Sequence, residues 1–95
     1  MQIIILGNTI EEAREKFIKL TSCYSKEYVE NITNTRSLMR MVLKDGTIIR
    51  ALSYNDDCRG YRADFMYISR NISLDVTHRF IYSKRKGKNF GYEFY

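Results

Sequence analysis

The chain opens on Gln2-Ile-Ile-Ile-Leu6, an unbroken apolar run rich in β-branched residues. Such a run reads as a strand covered on both faces. Gly7-Asn8 breaks it, and Thr9-Ile-Glu-Glu12 follows as a capping box, in which the Thr9 hydroxyl accepts from the Glu12 amide while Glu12 reaches back. Ile10, Ala13, Phe17, Leu20 and Tyr24 then recur at helical spacing, with Glu11, Glu15, Lys16 and Lys19 on the opposite side. The spacing predicts a helix over 9–23, with Glu12–Lys16 and Glu15–Lys19 as i,i+4 ion pairs.

Residues 25–37 are polar, and Tyr28, Val29 and Ile32 fit either a helical turn or a short edge strand. In Leu38–Lys44 the residues Met39, Met41 and Leu43 alternate with Arg40 and Lys44, the pattern of a half-buried strand. Asp45-Gly46 predicts a type I′ hairpin turn, because both central residues of that turn take positive φ. Thr47–Tyr54 returns as the partner strand. Asn55-Asp56-Asp57 is a turn cluster, Cys58–Arg62 a basic loop around Gly60, and Ala63–Ser69 another buried strand. Ile72, Val76, Phe80 and Ile81 predict a second helix from about Ser73 to Ser83, capped by Ser73 or Asn71. Lys84-Arg-Lys-Gly-Lys88 makes a basic turn, and Phe90, Tyr92 and Phe94 alternate through a short terminal strand suited to a sheet edge. The order β-α-β-β-β-α-β describes an α/β (or α+β) domain with a single small mixed sheet of four to five strands and two helices.

The length of 95 residues leaves room for one domain, 1–95. The net charge of +5 is uneven: residues 1–57 carry eight Lys/Arg and eight Asp/Glu, whereas residues 58–95 carry eight Lys/Arg against Asp64, Asp75 and Glu93. That excess points to an anionic partner, nucleic acid or an acidic protein surface. Cys23 and Cys58 lack the spacing of a disulfide framework or a zinc site and read as reduced thiols of a cytoplasmic protein. No apolar run of ~18 residues predicts a membrane span.

Three segments carry a resemblance. Leu43–Tyr54 gives a strand pair, Arg59-Gly-Tyr-Arg-Ala-Asp64 a loop, and Phe65–Ile68 an apolar strand that leads into Ser69-Arg70 and a helix. Residues 43–72 are similar to the Walker B neighbourhood of phage terminase large subunits and helicase-like ATPases, where the apolar strand ends in Asp-Glu. The resemblance implies a small phage-encoded protein, located in the host cytoplasm. Ser69 and Arg70 stand where that family holds magnesium and polarises water, and no Gly-rich loop ending in Gly-Lys-Ser/Thr precedes them. An arginine has the wrong sign to hold a metal ion, so the resemblance implies a relative that cannot hydrolyse ATP.

The other chemistry is sparse. His78 is the only histidine, Cys58 has no base beyond it, and Asp56-Asp57 suits a turn better than a cation. These residues offer no catalytic constellation, metal site or cofactor. The candidate site is basic: Arg59 and Arg62 flank Gly60-Tyr61, and Lys84, Arg85, Lys86 and Lys88 crowd one turn. Such side chains neutralise phosphates without reading sequence, and Tyr61 can stack on an unpaired base. Phe90 and Phe94 read as packing residues. The expectation is a non-enzymatic binding protein that engages nucleic acid, or a protein machine that handles nucleic acid. The alternatives are an inhibitor of a host defence or replication protein and a degenerate nucleotide-binding domain. The aromatic terminal strand leaves a homodimer through that edge open.

Overall fold

The computed structural model describes residues 1–36, 38–54, 62–84 and 90–95, with Ser83 and Lys84 by backbone alone. The order is β1 (Gln2–Gly7), α1 (Ile10–Thr21), a 3₁₀ turn (Lys26–Tyr28), β2 (Val29–Asn34), β3 (Met39–Leu43), β4 (Ile48–Ser53), β5 (Phe65–Ile68), α2 (Leu74–Lys84) and β6 (Gly91–Phe94). The strands form one six-stranded sheet in the order β2-β3-β4-β1-β5-β6. β4, β1, β5 and β6 run parallel, and β3 and β2 continue the sheet antiparallel. The sheet is mixed, as expected, but it has six strands where four to five were expected.

The additional strand is β2, and its sequence conceals it for a physical reason. Val29 pairs with Leu43 and Ile32 with Met41, and the register shifts between Val29 and Asn31. Leu43 and Met41 point to the same face, so Val29 and Ile32 do too, although they stand three apart. A bulge inserts one residue and erases the period of two that marks a strand. The segment read as helical turn or edge strand is therefore one after the other.

The turn after β3 also departs from expectation. Only Gly46 has positive φ, at 92°. Leu43 N–H donates to Thr47 O at 2.8 Å and Gly46 N–H to Leu43 O at 3.0 Å, so the loop is the three residues Lys44-Asp45-Gly46. A type I turn closed by a left-handed glycine replaces the two-residue type I′ turn. Asp45 Oδ1 accepts from Thr47 N–H at 2.9 Å and fixes it. This register sets Arg40 directly opposite Arg50.

Each face of the sheet has its own core. Ile3, Ile5, Met39, Met41, Leu43, Ile49 and Ala51 are buried with Ala13 and Phe17 of α1 on the first face, and Ile10, Leu20 and Tyr24 pack against them. On the second face Ile4, Leu6, Met66 and Ile68 are buried with Ile72, and Val76, Phe80 and Ile81 of α2 pack on them. The chain moves from β1 one way along the sheet and from β5 the other way. Right-handed crossovers then require helices on opposite faces. β1, central and covered on both sides, is the continuous apolar run with which the chain begins.

Candidate functional site

In open sheets of this kind the ligand crevice lies at the carboxyl ends of the strands, where successive connections diverge. Here that point falls between β1 and β5. Gly7 and Asn8 enter α1 on one side, and Ser69, Arg70 and Asn71 lead toward α2 on the other. Thr9 caps α1, accepting from Glu12 N–H at 3.2 Å. The Glu12 side chain reaches past the cap and accepts from Asn8 N–H at 3.0 Å and from Asn71 Nδ2 at 2.6 Å. Ser69, 1% exposed, also donates its hydroxyl to this carboxylate and accepts from Asn71 N–H at 3.1 Å. Burial raises the Glu12 pKa, but the bonds from Ser69, Asn8 and Asn71 outweigh it and hold the carboxyl below the ordinary glutamate value.

Glu12 thus supplies the anion that a helix N-terminus attracts. It also explains why the expected Glu12–Lys16 pair does not form. Lys16 Nζ lies instead 5.0 Å from the Tyr67 ring centre and 5.5 Å from that of Tyr95. The Glu15–Lys19 pair does form, at 3.5 Å on an exposed face. Tyr95 closes the crevice from the edge: its hydroxyl donates to Leu6 O at 2.9 Å, and burial, helped by the Glu12 charge, drives its pKa well above the usual phenol value. Gly7 makes the close approach possible, since a Cβ there would lie 2.5 Å from Thr9 O and 2.6 Å from Ala13 N.

The Arg59–Asp64 segment ends at the opposite, amino end of the parallel strands. Asp64 Oδ2 accepts from Gln2 N–H at 2.7 Å, and Asp64 N–H donates to Gln2 O at 2.8 Å. The acid of this segment therefore ties β5 to β1. Gly91 N–H donates to Asp64 O at 3.0 Å, so β5 and β6 start side by side. Since β5 and β6 are parallel, α2 carries the chain back to this same end, where Lys84 finishes it. Arg62, exposed and two residues before Asp64, stands there too. Of the expected site residues these two have backbone positions at one end of the sheet. Arg59, Tyr61, Arg85, Lys86 and Lys88 lie outside the described residues, as do Cys58 and the Asp56-Asp57 turn.

Cys23 is an exposed free thiol, and His78 is exposed on α2. Among the described residues no group of three His, Cys, Asp or Glu could hold a metal ion, and no helix is long and apolar enough to cross a membrane. Phe90 and Phe94 pack into the second core, as expected, while Tyr92 between them is 50% exposed on the outermost strand.

Two clusters escaped the sequence reading. Glu12 lies 57 residues or more from Ser69 and Asn71 in sequence and meets them only through the β1–β5 pairing. Arg40 and Arg50 fall within the stretch whose total charge balances, yet they face each other across β3 and β4. The signal was the turn: a loop of three residues, not two, makes positions summing to 90 partners. Comparison with protein-family models, curated proteins and solved structures finds no match, so the site is read from its own geometry.

Proposed function

We propose that this is a non-enzymatic, phage-type binding protein that engages nucleic acid, or a protein machine handling nucleic acid, through a basic face at the amino end of its parallel strands. The hydrogen bond between Gly91 and Asp64 carries the reading, because it brings the starts of β5 and β6 together. The Arg59–Arg62 and Lys84–Lys88 segments adjoin those starts in sequence, and with them the excess of positive charge. The carboxyl-end crevice, where an enzyme of this architecture would work, is lined by Glu12 and Tyr95. β5 delivers the hydroxyl of Ser69 to that carboxylate, and no metal-binding acid.

Titration of labelled single- and double-stranded DNA at 50 mM and 200 mM salt tests the proposal. Binding is expected at the lower salt and should weaken steeply at the higher, by about tenfold or more for several phosphate contacts. Replacing Arg59, Arg62, Lys84, Arg85, Lys86 and Lys88 with Gln should flatten the salt dependence. Absence of binding at low salt would remove the nucleic-acid version.

The outer edge of β6 favours a second reading, as an inhibitor that docks on a host protein. Gly91 and Tyr95 donate to β5, so the N–H of Tyr92 points away from the sheet, beside an exposed ring. An extended segment of a partner, or a second copy of the chain, can pair there. Tyr92→Pro removes that outward donor and leaves the β5–β6 ladder intact. In this reading the substitution abolishes a nuclease-resistant complex without lowering the melting temperature by more than a few degrees. A complex indifferent to Tyr92→Pro would exclude the β6 edge.

A further inference from the structure

β6 pairs with β5 on one side and is the last strand of the sheet. In a parallel ladder each residue sends its N–H and C=O to the same side, and successive residues alternate. Gly91 and Tyr95 donate to β5, and Tyr95 O accepts from Arg70 N–H at 2.8 Å. Tyr92 and Phe94 therefore present both backbone groups outward. They pair with Met66 and Ile68, so their side chains lie on the second face with Phe90. The three rings form a row, with centres 6.1 Å apart from Phe90 to Tyr92 and 5.6 Å from Tyr92 to Phe94. Tyr92 is 50% exposed. At the end of the row Phe94 lines a hollow of about 340 Å³ with Arg70, Ile72 and Leu74, the last 71% exposed. Outward backbone groups and apolar surface thus lie side by side, the combination that a further strand covers.

We infer that a second copy of this chain covers it, with β6 pairing antiparallel to β6 of the partner subunit about a two-fold axis at Tyr92. This deepens the docking reading of the β6 edge and rests on it. The stretch Phe90-Gly-Tyr-Glu-Phe94 is self-complementary in that register. Tyr92 faces Tyr92 of the partner subunit, Phe94 faces the partner's Phe90, and Glu93 faces the partner's Gly91. Aromatic pairs across neighbouring strands are favourable, and the glycine sets no charge against the carboxylate. The other register that joins both outward residues sets Tyr92 against the partner's Phe94 and Glu93 against the partner's Glu93. Those like charges would stand on Cα atoms about 4.5 Å apart, and their repulsion selects the register centred on Tyr92. The partner's Phe90 then adjoins the hollow beside Phe94, where the Arg70 guanidinium can lie against its ring.

Sedimentation equilibrium across a concentration series tests the pairing. Five paired residues a side make a small interface, so the 11.3 kDa chain should approach twice that mass only as concentration rises. Tyr92→Pro, which lacks the outward N–H, should remain at 11.3 kDa throughout. Tyr92→Lys keeps every backbone donor and sets two ammonium groups together at the axis, so it should weaken the dimer by about tenfold or more. Both variants should melt within a few degrees of the parent, which separates a lost dimer from lost folding. Register is measured by oxidation in a chain whose Cys23 and Cys58 are changed to Ser. Tyr92→Cys should yield a disulfide-linked dimer, because hydrogen-bonded partners stand about 5.5 Å apart between Cα atoms. Glu93→Cys should not, since it is only a diagonal neighbour of its copy, about 7–8 Å away and beyond disulfide reach. A parent that stays monomeric at every concentration, a dimer indifferent to both Tyr92 variants, or faster crosslinking through Glu93→Cys overturns the inference. The docking reading fails separately. If the parent is monomeric yet forms a nuclease-resistant complex that Tyr92→Pro abolishes, the β6 edge serves another protein and only the second copy is excluded.

Discussion

Gly7→Ala should cost the protein at least about 3 kcal/mol, a large part of the roughly 5–14 kcal/mol that a domain of this size possesses. The added methyl would lie 2.5 Å from Thr9 O, 2.6 Å from Ala13 N and 2.9 Å from Ala13 Cβ. Two of these are backbone atoms in the first turn of α1, so no side-chain rotation relieves them. Either α1 lifts from β1, uncovering Ala13 and Phe17, or β1 shifts against β4 and β5. Both outcomes open the first core. Urea denaturation monitored by circular dichroism reads the loss as a lower midpoint with little change in slope. Gly46→Ala is the informative control. Nothing lies within 4 Å of its new methyl, but its φ is +92°, so it should cost only about 1–2 kcal/mol from left-handed strain. Equal effects at the two glycines would mean that α1 does not approach β1 this closely.

What the sequence disclosed and what it hid divide along the range of the interactions involved. Thr9, Ile10, Ala13, Phe17 and Leu20 announce α1 because each member of the cap and apolar stripe lies within four residues of the next. β1, β3, β4, β5 and β6 were similarly legible from local pattern. β2 was not, because a bulge between Val29 and Asn31 shifts its apolar positions to a spacing of three. The hairpin was legible in kind and missed by one residue. That residue matters, since the observed register makes Arg40 and Arg50 neighbours.

The sites follow the same division. A charge tally by segment found the basic excess after residue 57 but passed over the Arg40–Arg50 pair. Of the acids that balance residues 1–57 in number, Glu11 and Glu15 lie on α1 and Asp45 in the hairpin turn, away from the strand face that holds the arginines. The capping box was half right. Its Thr9–Glu12 leg is local and forms, whereas the return leg of Glu12 goes to Asn8, Ser69 and Asn71 because β5 brings those last two within reach. Ser69-Arg70 read simply as missing carboxylates. In the folded chain Ser69 is a donor to a carboxylate supplied by another element.

Glu12→Ala is expected to cost about 2–3 kcal/mol at pH 7, since it removes charge-assisted hydrogen bonds and leaves Ser69, 1% exposed, without its acceptor. Glu12→Gln keeps the shape and loses the charge, so its deficit should be smaller and should depend on pH. The sign follows from the direction of the shift. Burial raises the Glu12 pKa, the three donors together lower it by more, and the net value lies below the ordinary glutamate value of 4.5. A carboxylate with a depressed folded-state pKa stabilises the fold fully above its unfolded value, and that contribution disappears as pH falls through the folded one. The melting temperatures of parent and Glu12→Gln should therefore differ at pH 7 and converge below pH 4.5. A gap that persists at pH 3 would assign Glu12 a packing role alone. The same residue bears on the degenerate nucleotide-binding alternative. A phosphate at the head of α1 would need the Asn8 N–H that Glu12 already takes, so magnesium ATP in excess should leave the parent's melting temperature unchanged. A ligand present at about 100 times its dissociation constant stabilises by about 2.7 kcal/mol, well above detection. A shift of that size in the parent would show that Glu12 yields its place to a phosphate, and would restore the nucleotide reading at the expense of the basic face.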